Sequence, residues 1–368
     1  MSDDHAAHAI SAYGTLYKDY FSTPNIDRIA NEGMRLNRVY STNAICGPSR
    51  ATILSGKYSH KNGYVKNYYG GEFDSSQWTF IKELQSNGYQ TALFGKWHLA
   101  SEPAGFDYYK YHNNKGQQGT YYDPVYNDNG KNVTEIGYAT NLTTDFTLDW
   151  LKNKRKEEKP FAALLHFKAP HRPWQRDEKY LDLFEGIEMP YPENFEDDYK
   201  GREQTAGDTW MTMDYLARRD AKIIPPDSIT NEKALREWMM YGFKPGEAWM
   251  PKGIETVEEA RKWKYQRYIK DYLACVKSID DNIGRVLDYL DKSGLAENTI
   301  VVYTADQGFY LGEHGWFDKR FMYEESSKMP FVTRYPKTIK PGSESDRIIT
   351  NTDFAPTLLD LAGIGSPD

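Results

Sequence analysis

A chain of 368 residues with a net charge of −7 can bury a large core, either as one big α/β domain or as a domain with an appendage. Its acidic balance offers no broad cationic field to nucleic acid or to a membrane surface. No apolar run approaches the roughly 18 residues that cross a bilayer, and Met1 to Gly14 lacks the charged and apolar regions of a signal peptide.

In chain order, Thr23-Pro24 opens a helix that Gly33 ends, with proline at its first position and glycine past its last. Pro48 and Gly56 bracket a second helix, Pro48 to Ser55, with Cys46 at its N-terminal end. A third runs from Trp78 to Asn87 and is closed by Gly88. The apolar runs Thr91 to Phe94, Phe161 to Phe167 and Thr299 to Thr304 read as buried strands of a parallel sheet. Between them, Pro103 to Tyr138, rich in Tyr, Asn and Gly, and Met189 to Lys252, rich in Pro, Trp, Met and charge, read as long excursions over the sheet rim. Tyr108, Tyr109, Tyr111, Tyr121, Tyr122 and Tyr126 suit a sugar-binding cleft or ordinary loop packing about equally. A long amphipathic helix spans Glu258 to Lys292, and a last one Asp353 to Leu361. Alternating strand and helix predicts an α/β fold, a doubly wound, mostly parallel sheet flanked by helices.

Ligands of such sheets bind beyond the carboxyl ends of the strands, where this chain places Lys96 and His98 after Phe94, His171 after Phe167, and Asp306 and Gln307 after Thr304, with Lys319 farther on. Each alone is an ordinary surface charge, loop histidine or cap; their shared placement argues for a site. Asp3-Asp4 with Asp306-Gln307 makes an all-oxygen donor set that suits Ca²⁺, with Mg²⁺ second. Arg50, Lys96 and Lys319 would then receive an anionic substrate. Cys46 at a helix N-terminus reads either as an activated thiolate or as a small buried hydrophobe. Cys275, among Leu273, Val276 and Ile279, reads as core, although one disulfide between the only two cysteines is open.

Cys46-Gly47-Pro48-Ser49-Arg50 resembles the signature of type I, formylglycine-dependent sulfatases of the alkaline-phosphatase-like superfamily. The resemblance runs in order through Ser2-Asp3-Asp4-His5, Gly95-Lys96-Trp97-His98, Ala169-Pro170-His171, Thr304-Ala305-Asp306-Gln307-Gly308 and Gly312-Glu313-His314-Gly315-Trp316 to Asp318-Lys319-Arg320. It implies a sulfatase fold and hydrolysis of a sulfate ester, on a sulfated sugar or glycosaminoglycan, with bacterial glycan sulfatases such as the N-acetylglucosamine-6-sulfatases the nearest group. It implies that Asp3, Asp4, Asp306, Gln307 and the modified Cys46 bind Ca²⁺; many relatives have Asn in place of Gln307. Cys46 becomes Cα-formylglycine, installed by a formylglycine-generating or anaerobic sulfatase-maturating enzyme. Arg50 holds the formylglycine hydrate and His98 sits against its second hydroxyl. Lys96, Lys319 and His171 bind sulfate, with His171 or Lys319 as general acid. His60 and His314 face the substrate cleft, while His5 supports the metal loop. The resemblance further implies one catalytic domain over residues 1–368 that lacks a first strand and a C-terminal subdomain, and a periplasmic or secreted location, with neither nucleic acid nor membrane as partner. A phosphate or phosphonate monoester hydrolase of the same superfamily, and a non-catalytic binder of sulfated glycan, are the competing readings.

Overall fold

The computed structural model describes residues 1–67, 71–114, 116–242 and 252–365. Its strands, in chain order, are β1 (Met34–Tyr40), β2 (Gln90–Gly95), β3 (Tyr108–His112), β4 (Val125–Asp128), β5 (Lys131–Thr134), β6 (Phe161–His166), β7 (Val301–Thr304), β8 (Tyr310–Leu311), β9 (Phe317–Asp318), β10 (Lys328–Met329), β11 (Phe331–Arg334) and β12 (Ser343–Thr350). One sheet has the order β5-β4-β3-β2-β6, and a second joins β10, β1, β11 and β7, with β12 on β1. Residues 1–3 stitch the two together. Phe167 N donates to Met1 O (2.9 Å) and Asp3 N to Ala169 O (3.2 Å), while Ser2 N donates to Thr304 O (3.0 Å) and Asp306 N to Ser2 O (3.3 Å).

The pairings β2/β3, β2/β6 and β1/β12 are parallel. β3/β4, β4/β5, β1/β10, β1/β11 and β11/β7 are antiparallel. The expected parallel arrangement therefore holds around β2 and β6, and antiparallel strands extend the sheet on both sides. Along β2 the side chains alternate faces. Leu93 packs with Leu84 and Trp97 under the helices Phe80–Ser86 and Cys46–Ser55, and Ala92 and Phe94 pack with Trp150 on the other face. Most remaining apolar burial lies around the helix Val257–Lys292, whose Tyr265, Ile269, Tyr272, Val276 and Ile279 form a continuous inward stripe.

The segment Pro103 to Tyr138 is not a rim loop. It supplies β3, β4 and β5, the last two joined by Asn129-Gly130 in a tight hairpin with positive φ at both residues (45° and 91°). Tyr111, Tyr121, Tyr126 and Tyr138 are buried in it, so packing rather than a sugar cleft accounts for them. Of the second excursion, residues 243–251 lie outside the described residues; before them come short helical turns and a helix at Glu232–Met240. Cys46 and Cys275 are both buried free thiols, without a bridge. No helix among the described residues is long and apolar enough to cross a membrane.

Asp280, fully buried on the long helix, caps the helix Pro24–Asn31 from outside its own sequence. Its Oδ1 accepts from Asn25 N and Ile26 N, both at 2.9 Å, and its Oδ2 from the Asn25 amide at 3.0 Å. Asp280→Ala orphans these donors and is expected to lower stability by about 2–4 kcal/mol, read as a fall in denaturant midpoint, with Asp280→Asn losing less.

Candidate active site

The C-terminal ends of β2, β6 and β7 meet at residues 2–4 and at the N-terminus of the helix Cys46–Ser55. There the structure brings together Asp3, Asp4, Cys46, Arg50, Lys96, His98, His171, Asp306, Gln307 and Lys319, all buried except His171, which keeps 14 % of its side chain exposed. Carboxylate oxygens of Asp3, Asp4 and Asp306 lie within 4.8 Å of one another, as do ligand atoms of Asp3, Cys46 and His171. Cys46 Sγ is 3.7 Å from Asp4 Oδ1.

Cations interleave with these anions. Lys319 Nζ donates to both oxygens of Asp4, at 2.6 and 2.7 Å, and Lys96 Nζ donates to Asp3. Arg50 Nε donates to Asp306 Oδ2 (2.9 Å) and its NH1 to the Lys96 carbonyl (2.9 Å), tying the helix to the end of β2. Gln307 donates to Asp4, and Asp4 N to Asp306 Oδ1 (3.1 Å).

Burial dominates the titration of the cluster. It works to raise the Asp3 carboxyl, but the charges of Lys96, Arg50 and Lys319 hold it well below the usual carboxylate range. Asp4 goes the other way. Burial, with Asp3 and Asp306 as like-charged neighbours, outweighs Lys319 and pushes it up to about 7. Asp306 is likewise raised by burial and by Asp3. Burial and the Asp3 charge raise the Cys46 thiol well above its ordinary value, which favours the buried neutral thiol over the activated thiolate. Burial, and after it Lys96, drives His98 well below the usual imidazole range; burial does the same to His171 despite the opposing Asp3 charge. Both are neutral here.

A divalent cation fits this donor set. Among the described residues Asp3 Oδ1 and Gln307 Oε1 are buried without any hydrogen-bond partner, and both are hard oxygens beside two further carboxylates.

Support comes from beneath. Tyr272 OH donates to Asp4 O (2.8 Å) and accepts from Ala6 N (2.9 Å), holding Asp4 at φ 65°. Ser49 Oγ donates to Asp306 O and is itself held by Asn351 Nδ2 at 2.8 Å. His5 bonds Tyr303 OH through Nδ1 (2.5 Å) and joins no ligand group among the described residues. Two expected substrate contacts lie outside the cluster. His60 is exposed and stacks on Tyr58. His314 is bound to Asp197 Oδ2 at 2.7 Å and packs against Trp316 and Tyr323. Lys168, buried at the end of β6 with its amine over the Tyr121 ring, escaped sequence reasoning although it precedes Ala169-Pro170-His171. Asn351 carried no motif that would have singled it out.

The sulfatase family model matches residues 1–364, and the chain belongs to this family of sulfuric ester hydrolases. It is 46% identical to an N-acetylglucosamine-6-O-sulfatase of Bacteroides thetaiotaomicron, over all of this chain and 67% of that protein. It is 29% identical to the human N-acetylglucosamine-6-sulfatase, over 91% of this chain and 56% of that one. A solved structure of a protein in complex with its substrate D-glucosamine-2-N,6-O-disulfate superposes with a TM-score of 0.89 at 45% identity, over the whole chain and 76% of that structure. The chain thus spans two thirds of the bacterial relative and little more than half of the human one.

Burial of both thiols makes a count of reactive cysteines a readout of Cys46. The native protein is expected to show none towards an alkylating reagent at pH 8. After denaturation the unmodified chain would show two and a chain with oxidised Cys46 one, checked by intact mass.

Proposed function

We propose that the protein removes sulfate from the 6-O position of a glucosamine-type sugar, with Cys46 oxidised to Cα-formylglycine and a calcium ion in the acidic cluster. The observation that carries the reading is 46% identity across the whole chain to an N-acetylglucosamine-6-O-sulfatase, combined with the carboxylates, cations and Cys46 gathered at one point. The likeness to the structure holding D-glucosamine-2-N,6-O-disulfate supports the same substrate class. Nothing in the cluster speaks for the phosphonate or the non-catalytic reading.

Asp3, Asp4, Asp306 and Gln307 would hold the cation. The all-oxygen donor set favours calcium over magnesium, which keeps more of its water. Bound there, the ion supplies Lewis-acid polarisation of a sulfuryl oxygen. Oxidised Cys46 supplies the nucleophilic oxygen. Lys96 and Lys319, held on the carboxylates beside Cys46, meet the remaining sulfuryl oxygens and stabilise charge as it develops, in a site closed to water. Arg50 orients the Cys46 helix against Asp306 and the Lys96 carbonyl. His171 places Nε2, 3.7 Å from Asp4, on the substrate side, since its Nδ1 is engaged with Arg172 O at 2.7 Å. His98 Nδ1 is buried and has no partner among the described residues; in this reading it meets the oxygen on residue 46. A formylglycine-generating or anaerobic maturating enzyme installs the aldehyde, and the protein works in the periplasm or outside the cell.

Matured protein is expected to release sulfate from glucosamine-6-O-sulfate, followed by ion chromatography, and to prefer an aryl sulfate over the matched aryl phosphate; the reverse preference defeats the reading. Lys319→Ala is expected to lower kcat/KM by about 100- to 1,000-fold. Calcium at 100 times its Kd should stabilise the fold by about 2.7 kcal/mol, seen as a rise in Tm that chelator reverses and Asp3→Asn abolishes.

A further inference from the structure

We infer that Tyr121 is a positioning residue for His171, and that the tyrosine-rich segment serves as a brace on the turn that carries that histidine. The inference rests on the sulfatase reading, in which His171 contacts the substrate.

Three tyrosine hydroxyls converge on the backbone of one turn. Tyr121 OH donates to His171 O at 2.5 Å, Tyr138 OH to Gln175 O at 2.9 Å, and Tyr122 OH to Arg176 O at 2.7 Å. Their rings support one another: Tyr121 stacks on Tyr138 (5.8 Å, 28°) and Tyr122 meets Tyr138 edge-on (5.2 Å, 61°). Behind them, Ala139 N donates to Tyr121 O at 2.7 Å and Tyr122 bridges Tyr138, anchoring the set at the start of the helix Ala139–Asp149. Tyr121 is wholly buried; its hydroxyl has been taken from water and has this carbonyl as its acceptor.

The link from Tyr121 to the site is short. The His171 ring is oriented by its Nδ1 contact with Arg172 O, the carbonyl one peptide beyond the carbonyl that Tyr121 holds. The Arg172 carbonyl can only accept, so Nδ1 carries a proton and Nε2 faces Asp4. Without Tyr121 the His171 carbonyl keeps only the long bond from Trp174 N, at 3.4 Å, and the looser turn lets Nε2 drift. Misplacement of a reacting group by about 1 Å costs on the order of 100-fold in rate.

The test is a double-mutant cycle on the matured full chain, with glucosamine-6-O-sulfate and an aryl sulfate as substrates. Tyr121→Phe is expected to lower kcat about 10- to 100-fold with KM changed less than about twofold. It should leave the calcium-dependent rise in Tm intact. In a His171→Ala background the same substitution is expected to cost less than about twofold, because the group it positions is gone. Equal losses in both backgrounds, or unchanged kcat in the first, overturn the inference. If Tyr121→Phe does not fold, Tyr138→Phe is read through the same cycle by the same criteria. An inert wild type instead defeats the sulfatase reading, and the inference falls with it.

Discussion

The site depends on packing three carboxylates and three cations where there is no water to screen them. Asp3, Asp4 and Asp306 are wholly buried, and Arg50, Lys96 and Lys319 nearly so. Each such charge carries a desolvation penalty of several kcal/mol, offset only by close and well-aligned partners. The chain meets that demand by drawing the partners from far apart in sequence. Residues 3 and 4 come from the segment between the sheets, Lys96 from the end of β2, Asp306 from the end of β7, and Arg50 from a helix held against both. Removing one member leaves an uncompensated charge, so the surrounding architecture is constrained as a unit.

Part of the strained backbone falls at this cluster. Asp4, His98 and Asp318 hold positive φ (65°, 60° and 77°), a conformation that costs non-glycine residues free energy and persists only where neighbours enforce it. Tyr272 on the long helix supplies one such enforcement, through the carbonyl of Asp4 and the amide of Ala6. Much of the tyrosine in this chain works this way. Tyr265 donates to Pro190 O and Tyr268 to Tyr310 O, each ring filling core while its hydroxyl satisfies a loop carbonyl that water cannot reach.

The sequence exposed the chemistry better than the outline of the sheet. Thr91 to Phe94, Phe161 to Phe167 and Thr299 to Thr304 are apolar on both faces, and the structure places strands there within two residues; their polar sequels therefore point to one rim. Helices bounded by Pro24, Gly56 and Gly88 were legible because proline and glycine mark ends physically. β3, β4 and β5 were not, since short strands of tyrosine, asparagine and lysine lack both an apolar run and a clean alternation. The Asn129-Gly130 pair was the unused clue. β1, with its run Met-Arg-Leu-Asn-Arg-Val-Tyr, is only partly buried and gave a similarly weak signal. His60 and His314 entered through their motifs; the structure adds that His60 is exposed beside Tyr58 and that His314 pairs with Asp197.

Met1, Ser2 and Asp3 bond to Phe167, Ala169, Thr304 and Asp306. On a ribosome adding on the order of 5–20 residues per second, roughly 15–60 s separate the birth of residue 3 from that of residue 306. Through that interval the two halves of the sheet stay unjoined, and Cys46 lacks the walls that later seal it. Its sulfur is therefore most open during synthesis, before Lys96, Asp306 and Lys319 close around it.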